Sequence, residues 1–200
     1  PVGAAFHGFK KVDPFGQIIV EEKKQIQPEQ TKRKRANLND PLQQKLEEWI
    51  DSNLPDKSIP LPDLLEGFER HAASQVIEAF GETVAACAWS KNWKLRVAAA
   101  GTIENNLSEI KTDVPLIFRA HCMLGERLFS DKNPSVVFKM ITLSKKIVSY
   151  AAMEKNSINV DLITGGLSRI FPVLLQRTGD NNKIVRDKIT TYIVDLGKTM

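Results

Sequence analysis

Long apolar runs are missing from this chain. In 200 residues no stretch approaches the roughly 18 consecutive apolar residues of a membrane-crossing helix, so no membrane span is expected. Cysteine is scarce: Cys87 and Cys122 each fall inside an apolar helical pattern. Free thiols buried in a reducing compartment fit that better than a disulfide scaffold. The histidines His7, His71 and His121 are scattered, and only His121 and Cys122 adjoin. Neighbouring helical positions point about 100° apart, which makes a poor chelating pair, and no zinc-ligand spacing occurs elsewhere. Nor is there a phosphate-binding glycine-rich loop or a serine nucleophile elbow. Acid pairs such as Glu47-Glu48 lie on polar helix faces and are most simply solvated. No enzymatic activity, cofactor or metal is expected. The N-terminus lacks a charged start followed by an apolar stretch, so no signal peptide is read and a cytoplasmic setting is expected.

Net charge is small as well, at +4, and it is unevenly spread. Residues 1–40 hold eight Lys/Arg against five Asp/Glu, which leaves 20 against 19 for the rest. A dedicated nucleic-acid surface clusters basic residues on one face of the fold, and this balance argues against one.

The excess belongs to a leader, residues 1–39, which mixes Gly, Pro and three aromatics (Phe6, Phe9, Phe15) without sustained periodicity. Ile18, Ile19 and Val20 suggest a short extended segment. The remainder is an irregular, polar and basic linker without a core of its own. Lys32-Arg33-Lys34-Arg35 is open to three readings: a localisation signal, a patch for an acidic partner, or a solvated linker.

From residue 40 the chain reads as helix after helix, predicting an all-α domain over residues 40–200. Asp40-Pro41-Leu42-Gln43 is a helix start: an acidic cap, proline at the first position, and glutamine three past the cap. Leu42, Leu46, Trp49 and Ile50 form that helix's apolar stripe. A proline-rich connection over residues 53–62 follows, and Leu64, Leu65 and Phe68 mark a short helix.

Three helical hairpins come next, at about 73–110, 114–153 and 160–198. Their stripes at three- and four-residue steps are those of buried helix faces. The first pairs a helix from Ala73 to Trp89 (Val76, Ile77, Phe80, Val84, Cys87) with one carrying Leu95, Ala98, Ala99, Ile103 and Leu107. The second places Leu116, Ile117, Cys122, Leu124 and Leu128 against Val137, Met140, Ile141, Ile147, Val148 and Ala151. The third returns with Ile184, Val185, Ile189, Tyr192, Ile193 and Leu196 inward. Pro172 should bend its outgoing helix, because the ring removes a backbone donor and crowds the preceding turn. Return helices begin about 42 and 48 residues apart, which suits two-helix repeats of the HEAT or armadillo size. Each hairpin has an apolar face that only stacking can bury, so an α-solenoid is predicted, with turns of one type along a single edge.

On that edge the most informative residue is Trp93, set between lysines in Lys91-Asn92-Trp93-Lys94-Leu95-Arg96. A solvated turn leaves a tryptophan exposed unless its ring packs back or meets a partner. This turn resembles the first intra-repeat loop of TOG domains, the HEAT-repeat modules that bind free tubulin. Asp131-Lys132-Asn133-Pro134-Ser135-Val136 resembles their second loop, and Gly179-Asp180-Asn181-Asn182-Lys183-Ile184-Val185-Arg186 their third. The resemblance covers about residues 73–198. Ala88-Trp89-Ser90-Lys91-Asn92-Trp93 and the stretch from Phe171 to Asp180 narrow it to a ciliary-tip, centrosomal branch of the family.

The resemblance implies binding without catalysis. In the family the first-loop tryptophan packs on tubulin, and basic or polar groups of later loops meet its acidic surface. Carried over, Trp93 is the apolar anchor, Lys91, Lys94, Lys132, Lys183 and Arg186 supply charge, and Asn133 and Asn182 supply hydrogen bonds. The partners implied are αβ-tubulin or the microtubule, with other ciliary or centrosomal proteins. The setting implied is the cytoskeleton, at a cilium tip, axoneme or centrosome. Family domains carry more repeat units than these three hairpins.

Each residue also has a plain structural role. Trp93 can fold back into the core, Arg96 and Arg186 are read as structural, each pairing with a neighbouring acid or helix carbonyl, Asn133 and Asp180 can cap helices, and Lys132 and Lys183 can be solvated. Two further functions stay open beside the tubulin module: an axonemal protein bound to the microtubule lattice, and a HEAT scaffold holding a peptide in its groove.

Overall fold

A computed structural model describes residues 40–153 and 159–199. The expectations for Phe6, Phe9, Phe15, the segment around Ile18 and the Lys32–Arg35 run lie outside the described residues.

Helix α1 (Pro41–Asn53) starts where its cap signal predicts: Asp40 Oδ1 accepts the Leu42 and Gln43 N–H groups at 2.9 and 3.3 Å. Leu46 and Ile50 are fully buried. The connection after it is not helical through Leu64 and Leu65, and α2 (Gly67–Ala72) begins later than expected. Leu65 is buried all the same, whereas Phe68 on α2 is 84% exposed.

The helix expected over 73–89 is two helices, α3 (Ser74–Phe80) and α4 (Glu82–Trp89). Gly81 between them has φ +88° and ψ 158°, a conformation that L side chains rarely adopt. Its N–H closes α3 on the Ile77 carbonyl at 2.9 Å, and its carbonyl opens α4 by accepting the Ala85 N–H at 3.1 Å. The apolar stripe runs on across the break, which is why periodicity alone reads one helix.

The remaining helices are α5 (Trp93–Asn106), α6 (Val114–Phe129), α7 (Pro134–Met153), α8 (Val160–Arg177) and α9 (Lys183–Thr199), with a 3-10 turn at Leu107–Glu109. They pair as hairpins: α4 with α5, α6 with α7, α8 with α9. The outgoing helices α3, α6 and α8 pack on one another in one layer, and α5, α7 and α9 in the other. This is the two-layer α-solenoid that the stripes predict, with α1 against α4 and α5. α8 continues through Pro172.

Hydrophobic burial dominates the stack. Phe118, Phe129, Leu124, Leu128, Met140 and Ile147 all lose their solvent exposure, each contributing roughly 1.5–3 kcal/mol of transfer free energy. In α9 the inward stripe is Val185, Ile189, Tyr192 and Leu196. Ile184, expected inward, is instead 60% exposed. One residue before Val185 it lies about 100° round the helix from the stripe.

Two glycines set the α6–α8 distance. A Cβ on Gly166 would come within 2.7 Å of Cys122 Sγ and 2.8 Å of Phe118 Cε1, and one on Gly125 within 3.0 Å of Ile170 Cγ2. One polar chain crosses the core: His121 Nε2 lies 2.5 Å from Ser144 Oγ, which hydrogen-bonds Tyr192 Oη. It joins α6, α7 and α9.

Candidate functional site

The three turns entering α5, α7 and α9 are built on one plan. In each, an Asn caps the return helix, and the residue two before it accepts that Asn's own N–H. Ser90 Oγ accepts from Asn92 at 3.1 Å, Asp131 Oδ1 from Asn133 at 2.8 Å, and Asp180 Oδ1 from Asn182 at 2.7 Å. The Asn side-chain oxygens then accept the N–H groups of Lys94 (3.0 Å), Ser135 (2.9 Å) and Ile184 (3.0 Å). Such caps satisfy donors that a helix start leaves unpaired. The carbonyl oxygens of Asn133 and Asn182 are therefore committed inside the turn, and only their amide NH2 groups are left to donate outward.

Arginines brace the turns from within. Arg96 Nη1 donates to the carbonyls of Ser90 (2.7 Å) and Lys91 (2.9 Å). Its Nε and Nη2 grip both carboxylate oxygens of Asp131, at 2.6 and 3.1 Å. One guanidinium thus ties the first turn to the second, in the bidentate geometry for which arginine's planar fork is suited. Arg186, four residues past Asn182 as Arg96 is past Asn92, repeats half of this by donating Nη1 to the Asp180 carbonyl at 2.6 Å. Arg177 Nη1 holds Asp180 Oδ2 at 2.8 Å. Arg127 reaches across from α6 to the Ala88 and Trp89 carbonyls, at 3.2 and 2.9 Å, with its guanidinium 5.1 Å from the Trp89 ring centre.

Trp93 is the first residue of α5 and is 40% exposed. It lines a groove of about 430 Å³ between the residues following α1 (Leu54, Pro55, Asp56) and α5 (Val97, Ala98). Lys94, beside it, is held by Asp56 Oδ2 at 2.8 Å. Hydrogen bonds from Lys94 and Ser58 keep the Asp56 carboxyl low, at about 2. Lys91 Nζ lies 3.3 Å from Asp63 Oδ2, and both groups are open to water. Lys132 and Lys183 are exposed, and among the described residues neither has an ion-pair partner.

The acids of the second and third turns, Asp131 and Asp180, face arginines of their own scaffold, while the lysines beside them face solvent. Unpaired positive charge thus sits on the second and third turns, at Lys132 and Lys183, while the half-exposed indole of the first turn is flanked by lysines that Asp63 and Asp56 already meet. Of the residues singled out in the sequence, Trp93, Lys91 and Lys94 share the first turn, Lys132 and Asn133 the second, and Asn182, Lys183 and Arg186 the third. Arg96, read as structural, is so. Asp56 and Asp63 were not singled out, nor was Arg127. The repeated Ser/Asp-x-Asn triplet was the readable sign of a common turn plan.

Elsewhere the chemistry is muted. Burial pushes the Cys87 and Cys122 thiols up to about 12 and holds His121 down at about 4. Among the described residues no group of three His, Cys, Asp or Glu side chains is placed to hold a metal ion, and no helix is long and apolar enough to cross a membrane.

The family model for the TOG domain of centrosomal protein CEP104 matches residues 70–199. The chain belongs to this TOG-domain family. It is 30% identical over 129 residues to centrosomal protein of 104 kDa from Homo sapiens and to that from Mus musculus, covering 62% of this chain. That match spans only 14% of the length of these relatives. The solved TOG domain of human Cep104 superposes with a TM-score of 0.59 at 26% identity, over 68% of this chain and 54% of that one. A second CEP104 TOG-domain structure gives 0.59 at 27%, over 67% and 54%. The TOG fold thus accounts for the hairpin stack from α2 onward.

Proposed function

We propose that this TOG domain binds αβ-tubulin through the turn edge, with Trp93 as the apolar anchor. The exposed indole on a turn whose neighbouring acids are neutralised internally is the observation that carries this reading. Lys132 and Lys183 supply long-range attraction to an acidic surface. Lys91 and Lys94 do so once Asp63 and Asp56 release them, and Asn133, Asn182 and Arg186 fix the turns and donate locally. Buried aromatic anchors commonly dominate such interfaces, and surrounding charges mainly raise the association rate and set orientation. Membership of the family, together with relatives named as centrosomal proteins, supports a role in a centrosomal or ciliary-tip protein acting on microtubule ends. The domain works by binding, without catalysis.

The test is sedimentation velocity of the chain with unpolymerised αβ-tubulin. Co-migration is expected, and Trp93→Ala should weaken it about 30-fold while melting stays unchanged. Wild-type-like binding by Trp93→Ala would remove the anchor. The groove beside Trp93 favours a second reading, a peptide held against α5. Ala98→Trp, which fills that groove, should abolish peptide binding there and leave a tubulin contact made by the turns in place.

A further inference from the structure

The turn edge carries a second exposed apolar side chain, and we propose that Ile184 is a second anchor for the same acidic tubulin surface; this rests on the tubulin reading above. Four other apolar residues of α9 (Val185, Ile189, Tyr192 and Leu196) are buried on its inner stripe, and Ile184 lies off that stripe at 60% exposure. Among the described residues Ile184 is not one of the apolar side chains packed against the core. Alanine would be the better helix former at a solvated site.

Its place in the third turn is the one Lys94 holds in the first, one residue on from that of Trp93: Trp93 directly follows the Asn92 cap, and Ile184 stands two past the Asn182 cap. The Ile184 N–H is bonded to Asn182 Oδ1 at 3.0 Å, and Arg186 ties the preceding turn to its own helix. The backbone is thereby fixed, and a β-branched side chain has little χ1 freedom left to lose on docking. Lys183, next to it, has no ion-pair partner among the described residues, and Asp180 is held by Arg177. A rigid apolar group in a net-basic rim fits an acidic partner surface with an apolar contact at its centre. Single exposed apolar residues are ordinary on protein surfaces, so position and charge, not exposure alone, distinguish this one.

Sedimentation velocity with unpolymerised αβ-tubulin tests it on wild type, Ile184→Ala, Trp93→Ala and Val194→Ala. Val194 is 51% exposed on the same helix, about 15 Å further along its axis, and serves as the control. Ile184→Ala is expected to weaken binding roughly tenfold with its melting temperature unchanged. Val194→Ala should bind as wild type does. Unaltered binding by Ile184→Ala beside a weakened Trp93→Ala would overturn this proposal and leave the tubulin reading standing. Equal weakening by Val194→Ala would overturn the assignment to the turn edge. No binding by the wild type would overturn the tubulin reading, and this inference with it.

Discussion

His121 is enclosed by its neighbours on every side, with Ser144 on its Nε2 and the Phe118 ring 5.8 Å away, centre to centre. Its proton affinity falls because the charged ring would lose its hydration without gaining a counter-ion, which holds it at about 4. An unfolded chain would protonate the same ring near 6.5. The unfolded state therefore binds the extra proton between those values, and stability must fall as pH drops through that window. Each tenfold drop in proton affinity is worth about 1.36 kcal/mol, so the loss reaches on the order of 3 kcal/mol below about pH 4. Chemical denaturation of wild type and His121→Gln at pH 7 and pH 4.5 measures it. The stability gap between the two should shift in the variant's favour at the lower pH; a gap constant with pH would mean that the ring is already solvated. Sequence could not have found this. His121 and Cys122 stand out as neighbours in the chain, while the partners that matter, Ser144 and Tyr192, lie far along it, with Ser144 23 residues from His121 and Tyr192 48 residues from Ser144.

Adjacent glycines of α8 give the element scale its sharpest contrast. A Cβ at Gly166 would run into Cys122 Sγ and the Phe118 ring of α6, both in a packed core, whereas at Gly165 there is nothing within 4 Å. Gly166→Ala should thus push α6 and α8 apart and cost about 1–3 kcal/mol. Gly165→Ala should stabilise by about 0.5–1 kcal/mol, because alanine restricts the unfolded chain and favours the helix. Thermal melts of the two single variants should move in opposite directions, and a shift of the same sign would contradict this account of the α6–α8 contact. Helix limits were legible from the stripes: α6, α7 and α8 fall within the hairpins that periodicity sets at about 114–153 and 160–198. Gly81 was not, since its apolar neighbours keep the same phase on both sides and only its positive φ breaks the helix. Ile184 misled for a related reason. An apolar residue next to a stripe is assigned to it unless the phase is counted residue by residue.

At the scale of the molecule, stacking turns three short motifs into one surface, and their order along the chain was readable while their charge was not. Lys91, Lys94, Lys132 and Lys183 look equivalent in sequence. In the fold, Asp63 and Asp56 from the connection after α1 meet the first two, and Lys132 and Lys183 are left without ion-pair partners among the described residues. Pairs formed across 28 and 38 residues leave no local sign. If the edge meets an acidic surface, attraction at a distance should come chiefly from the two unpaired lysines. Such steering acts on encounter and is screened over a Debye length of about 10 Å at 0.1 M salt. Stopped-flow association with tubulin should therefore slow as ionic strength rises from about 0.05 to 0.15 M. The double variant Lys132→Glu/Lys183→Glu should associate at least tenfold more slowly at the lower salt and lose or reverse that dependence. Lys94→Ala should have a smaller effect on rate, because Asp56 already offsets its charge. A double variant that keeps both the wild-type rate and its salt slope would mean that these turns do not face the acidic surface, and would move the contact to another face of the solenoid.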